Sequence, residues 1–307
     1  MRRQRRKVSA CGAERARTTG RTASVLVIDT VSHISMLAAM ATSAGHPGRV
    51  NEDFVGAVPG AVVLLDGAGI PGAESLCRHG VAWYTDRLGA TLLGRLSRGG
   101  AQSLVSVLAD AIDQLAGEHR STCDLADPSS PQATVALLRV DSERADHLML
   151  ADSHLLFGGT TGEGPKVVTD VREVAVRREC TARLEGLEAG SRDHEVALDA
   201  CKQEFRSRRN QPGGYWIAKD DPQAAEEAVT GAVPLAGLTD VALLSNGVTR
   251  LVDPYGLATW STLLDRCRTD GPGAVLEELR RHEAHISEPS DDATVAYSTL
   301  RQVPTPV

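Results

Sequence analysis

Apolar residues in this chain fall into short runs that end on a polar residue and a glycine. Val62-Val63-Leu64-Leu65 is continuously apolar and is followed by Asp66-Gly67, which predicts a strand buried on both faces. Phe54 to Val58 precedes it across Pro59-Gly60, so the two runs read as a hairpin. Met36 to Thr42 is small and apolar, a first strand before the turn Gly45-His46-Pro47-Gly48. The period then changes. Leu76, Gly80, Tyr84, Leu88, Leu92 and Leu96 recur at every fourth position, predicting a helix from about residue 73 to 96. Leu104, Val107, Leu108, Ala111, Ile112 and Leu115 mark a second helix beyond Gly99-Gly100. Both stripes are core, and the pair is expected to pack on the preceding sheet.

Four extended pieces follow: Gln132 to Val140, Asp146 to Asp152, His154 to Phe157, and Val167-Val168. With tight turns between them they read as an antiparallel meander. Residues 171–209 are highly charged and helical in pattern, locally basic at Arg177-Arg178 and Arg206 to Arg209, and are expected to form a solvated insertion. Gln211-Pro212-Gly213-Gly214-Tyr215-Trp216 is a turn and a short strand whose glycines suit a flap near a site. Pro222 to Val229 reads as a short helix. Asp240 to Leu244 is a strand ending in Ser245-Asn246-Gly247. Thr262 to Arg268 and Ala274 to His285 are helical, and Ser290-Asp291-Asp292 leads into a last strand, Ala293 to Tyr297. This order is α+β rather than a βαβ repeat.

Length and composition narrow the picture. The 307 residues suit one large domain or two small ones, and 42% hydrophobic with 24% charged residues is ordinary for a soluble globular protein. Aromatics are only 3%, so aliphatic side chains must build the core. A formal charge of -7 argues against a nucleic-acid partner and suits a site that holds cations with carboxylates. No apolar run approaches membrane-spanning length, so no membrane association is expected. Six cysteines occur singly, with no C-x-x-C pair. Their spacing therefore predicts no thiolate zinc site, a packed Cys77, reduced thiols and a cytoplasmic setting. Residues 1–33 form a basic leader without the apolar stretch of a signal peptide, and are expected to be disordered. Residues 34–302 form the folded domain and 303–307 a tail. His282 and His285 share a helix face without a third ligand in view, and read as bystanders.

The candidate chemistry begins at the hairpin, which brings Asp53 and Asp66 to one end of a sheet. Two close carboxylates repel unless a cation sits between them, and hard divalent cations take oxygen ligands. A competing reading is nucleotide binding, because Gly67-Ala68-Gly69-Ile70-Pro71-Gly72 matches G-x-G-x-x-G after an apolar strand. That fold needs a second strand ending in an acid soon after the helix. Here the acid at the right distance, Asp86, lies inside the helical pattern.

Polar residues recur at strand ends: Asp53, Asp66, Asp152, Asn246 and Asp291. With Arg49 and Asn51-Glu52-Asp53, Val63 to Gly69, Ala151-Asp152-Ser153, Asp240 to Gly247, and Asp291-Asp292-Ala293-Thr294-Val295, the chain resembles the metal-dependent type 2C (PPM-type) protein phosphatases over about Ser35 to Leu300. The resemblance implies a four-layer α-β-β-α sandwich of two antiparallel sheets flanked by helices. It implies two Mg²⁺ or Mn²⁺ ions that activate a water to hydrolyse a phosphomonoester, the substrate being a phosphoserine or phosphothreonine protein. Asp66 would serve both ions, and Asp53 and the Gly67 carbonyl one of them, with Glu52 beside it. Asp291 would hold the other, and Asp152 a third, weaker ion. Arg49 would take the substrate phosphate, although it lies one residue nearer the acidic pair than in many bacterial relatives. The family's Ser-Asp-Gly is Ser245-Asn246-Gly247 here, and an Asn carbonyl oxygen brings no charge to a cation. Asp292 stands where the family has Asn, and Ala151 where it has Gly. A catalytically weak or inactive binding domain on the same fold is the alternative. Nothing in the pattern specifies an oligomeric state.

Overall fold

The computed structural model describes residues 21–31, 34–69, 77–127, 129–159 and 164–302. In chain order their elements are β1 (Arg21–Val31), β2 (Ile34–Ser43), β3 (Phe54–Val58), β4 (Ala61–Ala68), α1 (Gly80–Leu96), α2 (Leu104–His119), β5 (Gln132–Val140), β6 (Arg144–Leu150), β7 (His154–Gly159) and β8 (Lys166–Val168). There follow α3 (Arg172–Thr181), α4 (Arg192–Ser207), α5 (Gln223–Glu226), β9 (Val229–Pro234), β10 (Leu238–Leu244), α6 (Asn246–Thr249), α7 (Trp260–Thr269), α8 (Pro272–Ile286) and β11 (Ala293–Gln302).

The strands form two sheets, one ordered β1-β2-β11-β10-β7-β8 and the other β3-β4-β5-β6-β9. Every pairing in them is antiparallel. The apolar run of β4 explains the layering, because successive strand residues point to opposite faces. Val63 and Leu65 pack with Leu88, Leu92, Leu108 and Ile112 of α1 and α2. Val62 and Leu64 pack with Leu155, Phe157, Val241 and Leu243 of the facing sheet. Beyond that sheet, Leu156, Ala242 and Val295 meet Leu263 of α7 and Leu276 and Leu279 of α8. The result is the expected α-β-β-α sandwich. Because β4 is antiparallel to both β3 and β5, it belongs to no βαβ unit, and the dinucleotide reading falls.

Several local expectations change. Arg21–Val31, assigned to the leader, pairs with β2 as an edge strand; its apolar stretch Val25 to Ile28 has the composition of a strand. Residues 1–20 and the tail 303–307 lie outside the described residues, as does Leu76 with the predicted start of the first helix. That helix begins at Gly80, so Cys77 lies before it, although it is buried as expected. The predicted meander is split: β5 and β6 stay in one sheet, whereas β7 and β8 join the other. The crossing is made at Ala151, which adopts a left-handed φ of 63°. Of the segment read as a flap, Gln211, Pro212 and Gly213 form an exposed turn, whereas Tyr215, Trp216 and the following Ile217 are core, at 1%, 5% and 2% exposure. The charged segment is helical but not wholly solvated. Val176, Cys180 and Cys201 pack with Tyr215 and Ile217 around Ala151.

Candidate active site

The site lies where β4, β6 and β10 end and β11 begins. Asp53 closes the loop before β3, and Asp66 stands near the end of β4. Asp152 follows β6, Asn246 opens α6, and Asp291 precedes β11. Thus both sheets contribute to one carboxylate cluster. The turns can approach because two glycines leave room. A Cβ on Gly67 would lie 2.3 Å from the Glu52 carbonyl oxygen, and one on Gly247 would lie 2.0 Å from that of Asp292.

Asp53 is held by a directional chain of hydrogen bonds. Asn51 Nδ2 donates to Thr42 Oγ1 at 2.6 Å. Thr294 Oγ1 donates to Asp53 Oδ2 at 2.6 Å. Thr294 has thereby spent its proton, so the 2.7 Å contact between the two hydroxyls is donated by Thr42. The other carboxylate oxygen, Asp53 Oδ1, is buried and has no partner within hydrogen-bond distance among the described residues, although the Ser245 hydroxyl lies near enough to favour the carboxylate. An unpaired buried acceptor is costly, so this oxygen is one that a cation would satisfy.

Asn246 joins two further carboxylates. Its backbone N–H donates to Asp66 Oδ2 at 2.9 Å and its Nδ2 to Asp152 Oδ2 at 2.6 Å. Asp292 ties down the loops instead of facing the cluster as a free acid: it accepts from Gly45 N at 2.7 Å and from Glu52 N at 2.6 Å. Its own N–H donates to Asp291 Oδ1 at 2.9 Å. Arg280 of α8 then clamps the outer side, donating to the carbonyls of Ser43 at 2.8 Å and Asp291 at 2.6 Å. Glu283, 1% exposed, lies between Arg280 at 2.7 Å and Arg250 at 3.0 Å.

The electrostatics follow from this crowding. Burial, outweighing the hydrogen bond from Thr294, pushes the Asp53 carboxyl up to about 7, with the charges of Asp292 and Asp291 adding to it. Asp66 is held well above its ordinary range, first by burial and then by the charges of Asp53, Asp152 and Asp291. Asp291 and Glu52 are raised too, again mainly by burial. Carboxylates so arranged hold protons or cations at neutral pH.

Beside the cluster opens a cavity of about 460 Å³ lined by Arg49, Glu52, Asp291, Asp292, His46 and Cys77 among others. Arg49 is exposed at this rim, and its charge acts to lower the Glu52 carboxyl. The structure therefore brings Asp53, Asp66, Gly67, Asp152, Asn246 and Asp291 together, and places Arg49 at the cavity wall. Sequence reasoning missed Thr294, Arg280 and the bracing role of Asp292. It also missed Glu173 of α3, 7% exposed and paired with Arg177 at 2.5 Å. Burial raises Glu173 to about 7, and the charge of Asp152 adds to the shift, which shows how near the insertion comes to the cluster. The i, i+3, i+7 spacing of Glu173, Val176 and Cys180 was the available signal for a buried helix face. His282 packs against Tyr255, with ring centroids 4.7 Å apart.

No family model and no curated protein matches the sequence. Solved structures do match. The catalytic domain of the serine/threonine protein phosphatase PstP, in complex with two manganese ions, aligns with a TM-score of 0.53 at 14% identity, over 88% of this chain and 100% of that one. PppA, a regulatory component of the type VI secretion system in Pseudomonas aeruginosa, aligns at 0.52 and 19% identity, over 87% and 98%. The serine/threonine phosphatase Stp1 from Staphylococcus aureus aligns at 0.53 and 14% identity, over 91% and 98%. Nearly the whole of each neighbour is covered, so the chain has the fold of the type 2C serine/threonine phosphatases.

Proposed function

We propose that this protein is a metal-dependent phosphomonoester hydrolase acting on phosphoserine and phosphothreonine in proteins. The observation that carries the reading is the convergence of Asp53, Asp66, Asp152 and Asp291 from both sheets, with Asp53 Oδ1 buried and without a hydrogen-bond partner among the described residues. The donor set is oxygen throughout, which fits Mg²⁺ or Mn²⁺. In this reading Asp66, Asp53, the Gly67 carbonyl, Asp291 and Asn246 would hold the ions, and Asp152 would support a weaker one. Such ions, when bound, supply a water acidic enough to attack phosphorus at neutral pH and shield the phosphate's charge. The chain's own residues do the rest. Arg49 stands at the cavity wall, where its guanidinium can take two phosphate oxygens. The Asn51–Thr42–Thr294 chain fixes the Asp53 carboxylate, and Asp292 and Arg280 fix the loops. A cytoplasmic setting goes with this reading. Among the described residues Cys77, Cys123, Cys180, Cys201 and Cys267 are free, and no helix is long and apolar enough to cross a membrane.

One observation favours a second reading. Asn246 already satisfies part of the cluster by donating hydrogen bonds to both Asp66 and Asp152. A protein that needs no cation there is a phosphoprotein-binding domain rather than an enzyme. Hydrolysis of p-nitrophenyl phosphate by the full chain across a Mn²⁺ titration separates the two. Mn²⁺-dependent turnover that is lost in Asp66→Ala supports the enzyme. Equal background in both proteins, with phosphopeptide binding retained, supports the binding domain.

A further inference from the structure

A second cluster lies outside the carboxylates. Cys77 and His79 precede α1, His119 ends α2, and Cys123 lies in the turn that follows. One potential ligand atom from each of the four lies within 4.8 Å of all the others. Cys77 Sγ is 3.8 Å from His79 Nδ1 and 4.0 Å from His119 Nδ1, and Cys123 Sγ is 3.3 Å from His79 Nδ1. Zinc bonds of about 2.3 Å to sulfur and 2.0–2.1 Å to nitrogen give tetrahedral ligand-to-ligand edges of roughly 3.3–3.8 Å. The chain thus holds two thiols and two imidazoles almost at the spacing a tetrahedral cation requires.

We propose that Cys77, His79, His119 and Cys123 form a separate, structural metal site for zinc or a similarly borderline-soft divalent cation. Sequence reasoning excluded thiolate ligation because no C-x-x-C pair exists. The structure instead joins a C-x-H pair to an H-x₃-C pair from the far end of the helical hairpin. Local geometry makes the second pair: the Thr122 and Cys123 N–H groups both donate to the His119 carbonyl at 3.0 Å, folding Cys123 back beside that ring. Trp83 stacks on His79 with centroids 4.2 Å apart and tilts against His119 at 5.2 Å, covering the cluster. Cys77 and His119 are buried, and His119 Nε2 has no hydrogen-bond partner among the described residues. Four protein ligands leave no open position, which is the pattern of a structural rather than a catalytic site. Soft sulfur and imidazole here, against oxygen only in the carboxylate cluster, separate the two sites by metal preference.

The site would act as a cross-link. It ties the entry of α1 to the end of α2, and Cys77, Gly80 and Val81 belong to the wall of the same cavity that holds Arg49 and Asp291. It requires no particular activity of that cavity.

The test is metal content and cobalt spectroscopy on the full-length protein. After expression with zinc and desalting, about one equivalent of zinc should remain in wild type and in Asp66→Ala, and be lost in Cys77→Ala/Cys123→Ala. Should the double variant fold poorly, apo wild type titrated with Co²⁺ needs no variant. A thiolate-to-cobalt charge-transfer band with intense tetrahedral visible bands supports the site. Weak octahedral bands alone overturn it. So does zinc that disappears with Asp66→Ala yet persists without the two cysteines, or a Cys77–Cys123 disulfide found by mass spectrometry in freshly purified protein.

Discussion

Asn246 donates its side-chain amide to Asp152 at 2.6 Å, while its backbone N–H holds Asp66 at 2.9 Å. A neutral residue therefore sits between two carboxylates, and it damps the repulsion between them. Asn246→Asp removes that damping. Without metal the variant should lose about 1–3 kcal/mol, the cost of replacing a hydrogen bond to a charged group by a like charge. With Mn²⁺ it should bind about tenfold tighter, roughly 1.4 kcal/mol, and any phosphatase rate should rise. Isothermal titration and p-nitrophenyl phosphate kinetics check both. Unchanged Mn²⁺ affinity removes Asn246 from the ligand set.

The raised carboxyls give a pH signature with a definite sign. Asp53 moves from an ordinary 3.8 to about 7 in the folded chain. Between those values the folded state binds more protons than the unfolded one, so its contribution to stability falls as pH rises. The slope is at most about 1.4 kcal/mol per pH unit for one such group. In EDTA, urea denaturation from pH 5 to 7 should show wild type losing stability relative to Asp53→Asn. Mn²⁺ should stabilise wild type more at pH 8 than at pH 5, because there it displaces fewer protons. A metal-free wild type that gains on Asp53→Asn over the same range contradicts the burial argument.

Arg280 reaches the site without touching the carboxylates. Its guanidinium holds the carbonyls of Ser43 and Asp291 and pairs with the buried Glu283. Arg280→Ala should lower stability by about 2–3 kcal/mol, because Glu283 keeps only Arg250 as a strong partner. It should also raise the Mn²⁺ midpoint about tenfold by freeing the Asp291 loop. A stability loss with an unchanged midpoint would leave Arg280 a purely structural residue.

Two glycines should respond in opposite directions. A Cβ on Gly247 meets the Asp292 carbonyl at 2.0 Å, whereas one on Gly94 of α1 meets nothing within 4 Å. Gly247→Ala should cost about 1–3 kcal/mol and weaken Mn²⁺ binding. Gly94→Ala should gain about 0.5–1 kcal/mol, since an exposed helical glycine carries an entropy penalty. Thermal melts of the two variants beside wild type read the contrast directly.

What could be read from the sequence was whatever left a periodic or punctuated trace. The run Val62 to Leu65 announced a strand between two apolar layers, and the strand-end acids announced the cluster. β9 escaped because its residues, Val-Thr-Gly-Ala-Val-Pro, are almost all exposed on an edge and show no apolar alternation. The exchange of sheets after β6 escaped because the left-handed turn is made by Ala151, not by a glycine that would have marked it. The Cys/His cluster escaped because its halves lie at opposite ends of a helical hairpin, and no spacing rule spans that gap.

β2 and β11, far apart in sequence, are direct neighbours, and β11 alone separates β2 from β10. A nascent chain halted before Ala293 has neither that central strand nor Thr294, the donor to Asp53. The carboxylate mouth is thus assembled only after β11 has been synthesised and has inserted between β2 and β10. Fragments released early should carry the acidic residues yet lack the shape that gathers them, so incomplete synthesis yields inert products rather than unregulated ones.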